Sequence, residues 1–372
     1  MLRPERVTPR RVLMTLDAVG GIWRQVLDCA RGLAEQEVET VLVGFGPRPC
    51  RAQIAEARAI PGVRLVWRPE PLDWMVEDDA ALDAIAPALD ELAARHAVDL
   101  LHLNLPSQAR GLTTRRPVVV TSHSCLPTWW AAVKGDALPP VFARHRALNA
   151  EGFSRADRIL AVSRSHAEAL SRAYGPLPRL DVIHNAAAPA ERADRVGAVH
   201  ALAVGRWWDE AKGARVLDAA SAAAATPILA IGATEGPNGA RAGFAHVRHL
   251  GRLGGEATRA AMAQAGIFVS PARYEPFGLA ALEAAKEGCA LVLADIPTFR
   301  ELWGGAALLV PAEDAHGFSR AVDALARDEG ARAALAARAR ARAARFTPDA
   351  QIARLLASYA ALGAQTRPLL VD

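Results

Sequence analysis

The strongest constraint on the fold is a regular alternation of short apolar runs with alanine-rich segments of helix length. The apolar runs are rich in Val, Ile and Leu and recur through all 372 residues. A continuous apolar run is typical of a strand buried on both faces, and its alternation with helices is typical of a parallel sheet. The sequence therefore predicts an α/β fold. The predicted strands are residues 12–16, 40–45, 64–67, 100–103, 118–122, 159–162, 181–184, 201–204, 228–232, 267–270, 291–294 and 308–310.

Chain length indicates two domains, since a typical domain contains roughly 100–200 residues. Two doubly wound sheets also accommodate the predicted strands better than one sheet. Residues 186–199 carry proline and glycine without periodicity, which predicts a linker. We therefore predict a Rossmann-like domain at residues 1–190, a second Rossmann-like domain at 191–345, and a closing helical segment at 346–372.

Charge is concentrated in one predicted helix. The chain has 44 Lys+Arg against 40 Asp+Glu, a formal charge of +4, and residues 327–345 hold six arginines against two acidic residues. A solvated helix face explains this segment, and contact with an anionic membrane is the alternative. Nucleic acid is disfavoured as a partner because no aromatic side chains are interleaved with the arginines.

The cysteines and the hydropathy bear on the cellular compartment. Four scattered cysteines show no disulfide-framework or zinc spacing, which favours a reducing compartment. No apolar run has the roughly 18 residues of a membrane helix, and the apolar stretch near the start is too short for a signal peptide. We expect a cytoplasmic protein, with peripheral contact at the inner face of the membrane as the alternative.

Two loops that follow predicted strands carry candidate phosphate-binding residues. Gly20 and Gly21 stand where a strand turns into a helix, and glycine there lets a phosphate approach the helix N–H groups, although such a pair is also common in ordinary turns. Arg206 and Lys212 flank a second turn and could converge on a diphosphate, and Lys212 is one of only three lysines among the 44 basic residues. The alternative is that the adjacent acidic residues, 209 and 210, simply pair with them.

A third loop combines two carboxylates with a helix start. Glu275 precedes a predicted helix that begins near Gly278, and Glu283 lies inside that helix. The N–H groups and partial positive charge of a helix N-terminus favour binding of a diphosphate. A carboxylate on each side of it could accept hydrogen bonds from sugar and ribose hydroxyls. The alternatives are a solvated loop charge for Glu275 and a pair with Lys286 on an exposed face for Glu283.

A histidine follows the buried strand at residues 118–122. Ligands of open α/β sheets bind outside the carboxyl ends of the strands, where His123 would stand, although a core histidine is the alternative. Trp129 and Trp130 come shortly after it. Tandem tryptophans usually pack in a core, and a sugar-stacking surface is the other interpretation.

The ordered set of these motifs resembles the retaining glycosyltransferases of family 4, which have the GT-B fold of two Rossmann-like domains facing a cleft. The resemblance spans essentially the whole chain. It rests on the Gly20-Gly21 loop, His123, the Arg206 to Lys212 loop, the Glu275-x7-Glu283 spacing, and the ends of the neighbouring strands.

The resemblance implies a role for each motif. Arg206 and Lys212 would bind the donor diphosphate, Glu275 the hydroxyls of the donor sugar, and Glu283 the ribose. His123 would reach the sugar from the other domain. The remaining substrate-binding residues implied are Gly20, Gly21, Phe277, Gly278 and Leu279, and the closing helix would cross back onto the first domain.

The implied reaction is sugar transfer from a nucleotide-diphosphate sugar to a hydroxyl of a carbohydrate or lipid-linked acceptor, with retained configuration. We expect no cofactor and no metal, because no D-x-D pair stands where a divalent cation would be held. A sugar-nucleotide epimerase or a phosphorylase of the same architecture is the nearer alternative. A nicotinamide-binding or non-catalytic Rossmann-like protein is the more distant one, and it is disfavoured because neither glycine turn has dinucleotide spacing.

Overall fold

The computed structural model describes residues 8–76, 78–190 and 199–365, which form two compact units. The first unit takes in the described chain up to Thr128, the segment Ala137–Asn185, and the closing segment from Pro348. The second takes in Trp129–Asp136 and the described chain from Ala186 to Thr347. Residues 191–198 of the predicted linker lie outside the described residues. The predicted division at residues 190 and 345 stays a prediction.

The described residues form thirteen strands in two sheets, and these strands pair with one another in parallel. The order in the first sheet is β3-β2-β1-β4-β5-β6-β7, and the order in the second is β10-β9-β8-β11-β12-β13. The strands are β1 Arg11–Leu16, β2 Glu39–Gly44, β3 Val63–Trp67, β4 Leu100–Leu103, β5 Val118–Ser122, β6 Arg158–Ala161, β7 Leu180–Val182, β8 Ala201–Val204, β9 Ile228–Ile231, β10 Arg248–His249, β11 Ile267–Ser270, β12 Ala290–Ala294 and β13 Leu308–Val310.

Helices connect the strands and cover the sheets, as the parallel pairing requires. They are α1 Gly21–Glu35, α2 Arg51–Arg58, α3 Ile85–Arg95, α4 Leu126–Val133, α5 Ala143–Arg155, α6 Arg164–Tyr174, α7 Ala214–Ala223, α8 Gly255–Gln264, α9 Leu279–Lys286, α10 Pro297–Trp303, α11 Ala315–Arg327, α12 Glu329–Ala343 and α13 Pro348–Gln365. The predicted pair of doubly wound parallel sheets is confirmed.

Each sheet has one point where the strand order reverses direction. In the first sheet this point lies between β1 and β4, and in the second between β8 and β11. The loops that leave the carboxyl ends of two such strands diverge to opposite faces of the sheet and open a crevice, which is where ligands of this architecture bind. The motif loops of the sequence follow β1 in the first unit and β8 and β11 in the second.

The core of the first unit lies on both faces of its sheet. Leu13 belongs to the apolar cluster on one face, whereas Val12 and Met14 belong to the cluster on the other. The second cluster includes side chains of α13, which packs against α1. Gly32 of α1 allows this approach, because a Cβ atom there would come within 2.4 Å of Ile352. The closing helix is therefore part of the first unit.

The arginines of α12 have structural partners that the sequence did not indicate. Arg332 is buried and donates to the carbonyls of Leu325 and Ala326 in the last turn of α11. Arg342 donates to Leu302 and Gly304 at the end of α10. Helix ends leave carbonyls without partners, and a guanidinium can satisfy two of them at once. A solvated face is therefore the wrong interpretation for Arg332.

Candidate functional site

The loop after β8 is held in place by a buried tryptophan. Trp207 is 3% exposed, and its indole N–H donates to the carbonyl of Ile231 at 3.0 Å. Its ring packs edge-on against Phe244, with 5.4 Å between the ring centroids. The Trp207 side chain is buried in the second unit and therefore fixes the loop next to Arg206. The Arg206 side chain itself is 41% exposed.

Asp209 positions Arg206 and takes part in several other hydrogen bonds. One carboxylate oxygen accepts from Nη2 of Arg206 at 3.3 Å, and the other accepts from the N–H of Ala211 at 3.0 Å and from the indole of Trp129 at 3.0 Å. The Arg206 guanidinium also lies 5.3 Å from the centroid of the Trp208 ring. The alternative in which Asp209 pairs with Arg206 is therefore correct.

Lys212 and Glu275 form an ion pair across 63 residues of sequence. Nζ of Lys212 lies 2.5 Å from Oε1 of Glu275, and the two side chains are only 15% and 18% exposed. Gly213 makes the turn that brings the two loops together. Its φ is +69°, and a Cβ atom there would come 2.5 Å from the carbonyl oxygen of Pro271. The structure thus brings together two residues that the sequence singled out separately.

Glu210 pairs away from Lys212. Its carboxylate lies 2.5 Å from Nζ of Lys134 and 3.5 Å from Nη1 of Arg273. The Lys134 ammonium also lies about 6 Å from the ring centroids of Trp129 and Trp130. The tandem tryptophans therefore pack around a lysine. The alternative in which Glu210 pairs with Lys212 is therefore wrong.

The helix α9 begins shortly after Glu275 in the sequence. Gly278 is its N-cap, with φ +89°, and no side chain caps the helix. A Cβ atom at Gly278 would come 2.8 Å from the ring of Phe299. The N–H groups of Gly278 and Leu279 belong to the helix start, where partial positive charge accumulates. Phe277 is 3% exposed and packs edge-on against Phe346, so its side chain belongs to the core.

Glu283 and Lys286 lie one turn apart on α9. Glu283 is partly buried, and its charge acts on Lys286. Lys286 is partly buried as well, and its ammonium donates to the carbonyls of Ala187 and Phe346. Burial lowers the pKa of Lys286, and the Glu283 carboxylate opposes this effect. The exposed-face pair considered from the sequence is therefore wrong for Lys286, which ties α9 to two distant stretches of the second unit.

In the first unit, the motif residues stand at the carboxyl ends of β1 and β5. Gly20 is the N-cap of α1 in an extended conformation, and Gly21 is the first residue of that helix, which no side chain caps. His123 follows β5, and its Nε2 lies 2.8 Å from Oδ1 of Asn104, which follows β4. Burial lowers the pKa of His123 to about 4. Sequence reasoning missed Asn104, although its position directly after a predicted strand was a usable signal.

Two more histidines are buried in this unit. His102 makes 2.6 Å hydrogen bonds with the hydroxyls of Tyr359 and Thr121, and His166 lies 3.0 Å from the hydroxyl of Ser122. Burial, followed by the proximity of His123, lowers the pKa of both His102 and His166 to about 3. All three imidazoles are therefore neutral near pH 7.

The described residues contain neither a metal-binding cluster nor a membrane-spanning helix. Among residues 8–76, 78–190 and 199–365, no group of three or more His, Cys, Asp or Glu side chains is arranged to hold a metal ion. Within the same part of the chain, no helix combines the length and the hydropathy of a bilayer-crossing segment.

The sequence matches two known protein families. Residues 19–191 match the family described as Glycosyltransferase Family 4, and residues 198–328 match the family described as Glycosyl transferases group 1. One stretch of 117 residues is 32% identical to phosphatidyl-myo-inositol mannosyltransferase of Mycolicibacterium smegmatis. That stretch makes up 31% of this chain and 30% of the relative.

Solved structures share the fold over nearly the whole chain. Sucrose-phosphate synthase of Thermosynechococcus elongatus superposes with a TM-score of 0.78 at 19% identity, covering 96% of this chain and 100% of that one. Anabaena HepE in complex with UDP-glucose has a TM-score of 0.72 at 18% identity, with 94% and 99% covered. A glycosyltransferase of Rickettsia africae has a TM-score of 0.69 at 15% identity, with 95% and 98% covered.

Proposed function

Because the chain belongs to glycosyltransferase family 4 and has the GT-B fold, we propose that it transfers a sugar from a nucleotide-diphosphate donor to an acceptor hydroxyl with retained configuration. The observation that carries the proposal is the pair formed by Lys212 and Glu275. The pair stands at the reversal point of the second sheet, beside the uncapped N-terminus of α9. A sugar diphosphate needs cations at its phosphates and acceptors at its hydroxyls, and this arrangement offers both.

Donor binding would exchange partners at the Lys212–Glu275 pair. Without a donor, each side chain neutralises the other, so no isolated charge is buried. The diphosphate would take the ammonium together with the N–H groups of Gly278 and Leu279. The Glu275 carboxylate would then accept hydrogen bonds from the sugar hydroxyls, and Glu283, farther along α9, would accept from the ribose.

Bond cleavage leaves negative charge on the departing nucleoside diphosphate. Lys212, Arg206 and the N-terminus of α9 would stabilise that charge, and electrostatic stabilisation of this kind is usually the largest contribution to catalysis. Asp209 keeps the Arg206 guanidinium in one orientation before the donor arrives. We propose that these groups suffice without a divalent metal and that no cofactor takes part.

Retention follows in this proposal from the role of Glu275. A carboxylate that accepts hydrogen bonds from sugar hydroxyls is not free to attack the anomeric carbon. This favours a route in which the diphosphate leaves and the acceptor enters on the same face of the sugar. His123 and the Gly20-Gly21 turn, both in the first unit, would contact substrate.

The names of similar proteins suggest the classes of donor and acceptor. HepE was crystallised with UDP-glucose, and the M. smegmatis relative is named for transfer of mannose to phosphatidyl-myo-inositol. We propose a nucleotide-activated hexose as the donor and a carbohydrate or lipid-linked hydroxyl as the acceptor, used in the cytoplasm.

Peripheral membrane contact is a separate part of the proposal. Several arginines near the C-terminal end of α12 are exposed, among them Arg340 and Arg345. An anionic surface would attract them, since each basic residue near such a surface contributes roughly 1 kcal/mol to the free energy of membrane binding. Cosedimentation with vesicles containing phosphatidylglycerol, but not with vesicles of phosphatidylcholine alone, would support contact. Loss of that binding on replacing both residues with glutamine would place the contact at the C-terminal end of α12 and the residues just after it.

The test is a screen of sugar nucleotides by thermal shift, followed by an assay of nucleoside diphosphate release in excess chelator. Glu275→Gln should reduce release by roughly a hundredfold or more, because a neutral amide accepts fewer hydrogen bonds from hydroxyls. The matched control is Glu235→Gln, which removes an exposed carboxylate of the same unit, and it should retain wild-type release. The anomeric configuration of the product, read by NMR, tests retention.

Three results would contradict parts of this proposal. Full activity in Glu275→Gln would remove the assigned site. A product in which the sugar nucleotide is converted but no acceptor is glycosylated would indicate an epimerase or a phosphorylase. A thermal shift with NAD and with none of the sugar nucleotides would indicate a nicotinamide-binding protein.

A further inference from the structure

A chain of hydrogen bonds runs from β1 through Asn104 to His123. The main-chain N–H of Asn104 donates to Oγ1 of Thr15 at 2.8 Å, and Nδ2 of Asn104 donates to the main-chain carbonyl of Thr15 at 2.7 Å. Oδ1 of Asn104 lies 2.8 Å from Nε2 of His123. Thr15 and Asn104 are both buried, with 0% and 5% exposed. These hydrogen bonds therefore connect the carboxyl ends of three neighbouring strands, β1, β4 and β5.

The chemistry of the groups determines the orientation of the Asn104 amide. The carbonyl of Thr15 can only accept a hydrogen bond, so the amide group that faces it must be the NH₂. The oxygen of the amide then faces His123. Because this contact to Thr15 involves the main chain, a change of side chain at position 15 cannot reverse the amide.

The same reasoning determines the tautomer of His123. An amide oxygen can only accept, so Nε2 must carry the proton and Nδ1 must be the unprotonated nitrogen. Burial keeps this imidazole neutral by lowering its pKa to about 4. The titratable groups that interact with it, His102 from β4 and His166 from α6, are neutral as well. His123 therefore presents a lone pair and no positive charge.

We propose that Asn104 is a positioning residue that holds His123 in the Nε2–H tautomer, so that Nδ1 is an unprotonated acceptor for a hydroxyl group of a substrate. The proposal rests on the proposed function, which places His123 in the site. It specifies the chemistry of His123: a neutral acceptor for a hydroxyl, and not a cation that stabilises the departing diphosphate. The other tautomer would present an N–H to the same hydroxyl and would lose the lone pair.

The first experiment measures the tautomer without any substrate. Long-range ¹H–¹⁵N NMR of histidine-labelled protein distinguishes a protonated from an unprotonated ring nitrogen, and His123→Ala identifies the signals. We expect the Nε2–H form alone in the wild type and a mixture of the two tautomers in Asn104→Ala. The matched control is Asn149→Ala, which removes another buried asparagine of the same unit, one that donates to the His145 carbonyl. The control should leave the His123 signals unchanged.

The second experiment is a double-mutant cycle on sugar transfer. Asn104→Ala should lower kcat/KM by roughly tenfold, as expected for the loss of one well-placed hydrogen bond. In the His123→Ala background the same change should have almost no effect, because Asn104 acts through His123. A residue that served folding alone would lower activity equally in both backgrounds.

Each result decides a different point. An Nδ1–H tautomer in the wild type, an Asn104→Ala variant that keeps one tautomer, or additive effects in the cycle would overturn the proposal. A wild-type chain that carries the Nε2–H tautomer and transfers no sugar would contradict the proposed function, while the role of Asn104 in holding the tautomer would stand.

Discussion

Lys212 and Glu275 are two opposite charges that lie largely buried side by side. Because each neutralises the other, the protein can hold both in a poorly solvated site without a bound ligand. Both side chains are mostly buried, and burial of an unpaired charge costs several kcal/mol. The 2.5 Å contact offsets that cost in the free protein. In the proposed function, a diphosphate would compete with Glu275 for the ammonium, and the sugar hydroxyls would compensate the carboxylate. Binding of the two parts of the donor would therefore be coupled at this pair.

Replacement of Lys212 by arginine should lower kcat by roughly tenfold or more, although the charge is kept. A guanidinium is planar and spreads its charge over a fork, so it cannot take the place of a compact ammonium between Glu275 and a phosphate. The measurement is nucleoside diphosphate release at saturating donor, with the sugar nucleotide found by the thermal-shift screen.

Lys134→Arg is the matched control for that variant. Lys134 makes an ion pair with Glu210, and both side chains of this pair are more exposed, at 34% and 49%. Either cation can satisfy such a pair, so turnover should remain within about twofold of wild type. If Lys212→Arg also turned over at the wild-type rate, the scarcity of lysine would reflect compositional bias alone.

At the scale of elements, α13 makes buried polar contacts inside an apolar interface: Gln351 accepts from Gln25 of α1, and Tyr359 reaches the sheet. Tyr359 is 1% exposed, and its hydroxyl makes a 2.6 Å hydrogen bond with Nδ1 of His102 on β4. The contact joins positions 257 residues apart. The other ring nitrogen of His102 is occupied by Thr121, so the imidazole is satisfied on both sides. The pair gives α13 one register on the sheet of the first unit.

Tyr359→Phe should lower the free energy of unfolding of the first unit by about 1–3 kcal/mol, because it leaves His102 with a buried, unsatisfied nitrogen. Urea denaturation followed by hydrogen exchange of β4 and β5 amides reports on this unit. The control is Ser358→Ala in the same helix. The Ser358 hydroxyl is buried without a hydrogen-bond partner among the described residues, so its removal should change stability by less than about 0.5 kcal/mol. Equal losses in both variants would contradict the assigned role of Tyr359.

The strands were predictable because their signal is local. Five of the predicted strands, among them residues 100–103 and 267–270, match the observed bounds, and the others differ by one or two residues at an end. β10 was missed. It consists of Arg248 and His249, both exposed, so its sequence has no apolar run to detect. The strand exists because its backbone pairs with β9, which is a tertiary contact.

At the scale of the whole molecule, the neutral histidines make folding of the first unit dependent on pH. The folded unit holds the pKa of His102 and of His166 near 3, whereas an ordinary histidine has a pKa of 6.5. Between these values the unfolded chain binds more protons than the folded chain, so stability falls as the pH falls. Above pH 6.5 both states are neutral at these positions, and the contribution is constant.

Lowering the pH from 6.5 towards 4 should therefore reduce the free energy of unfolding by about 1.4 kcal/mol per pH unit for each of the two histidines. Urea denaturation at a series of pH values measures the slope, with hydrogen exchange of β4 and β5 assigning it to the first unit. His166→Gln should lower the slope by its own share of about 1.4 kcal/mol per pH unit, and His123, whose pKa burial lowers to about 4, contributes a further share. His316→Gln, at an exposed position of the second unit, should leave the slope unchanged. A stability that does not change over this range would show that the two imidazoles charge freely in the folded state.

The sequence alone determined the two parallel sheets and the loops that carry the proposed site. Apolar runs, glycine turns and the spacing of Glu275 and Glu283 are properties of neighbouring residues, so they can be found along the chain without knowledge of the fold. The motifs also indicated the family, because their order is more specific than any one of them. In the same way, Arg206, Lys212 and His123 were found from their positions after strands.

Only the tertiary structure decided which groups meet. Lys212 finds Glu275 rather than Glu210, Asn104 determines the tautomer of His123, and Arg332 is buried on the carbonyls of α11. Each choice depends on strand order and on loops that converge from distant parts of the chain. Local sequence cannot specify it, because charges and amides have several possible partners nearby. Burial then makes the choice decisive, since a polar group withdrawn from water must find a partner of the right chemistry in the fold itself.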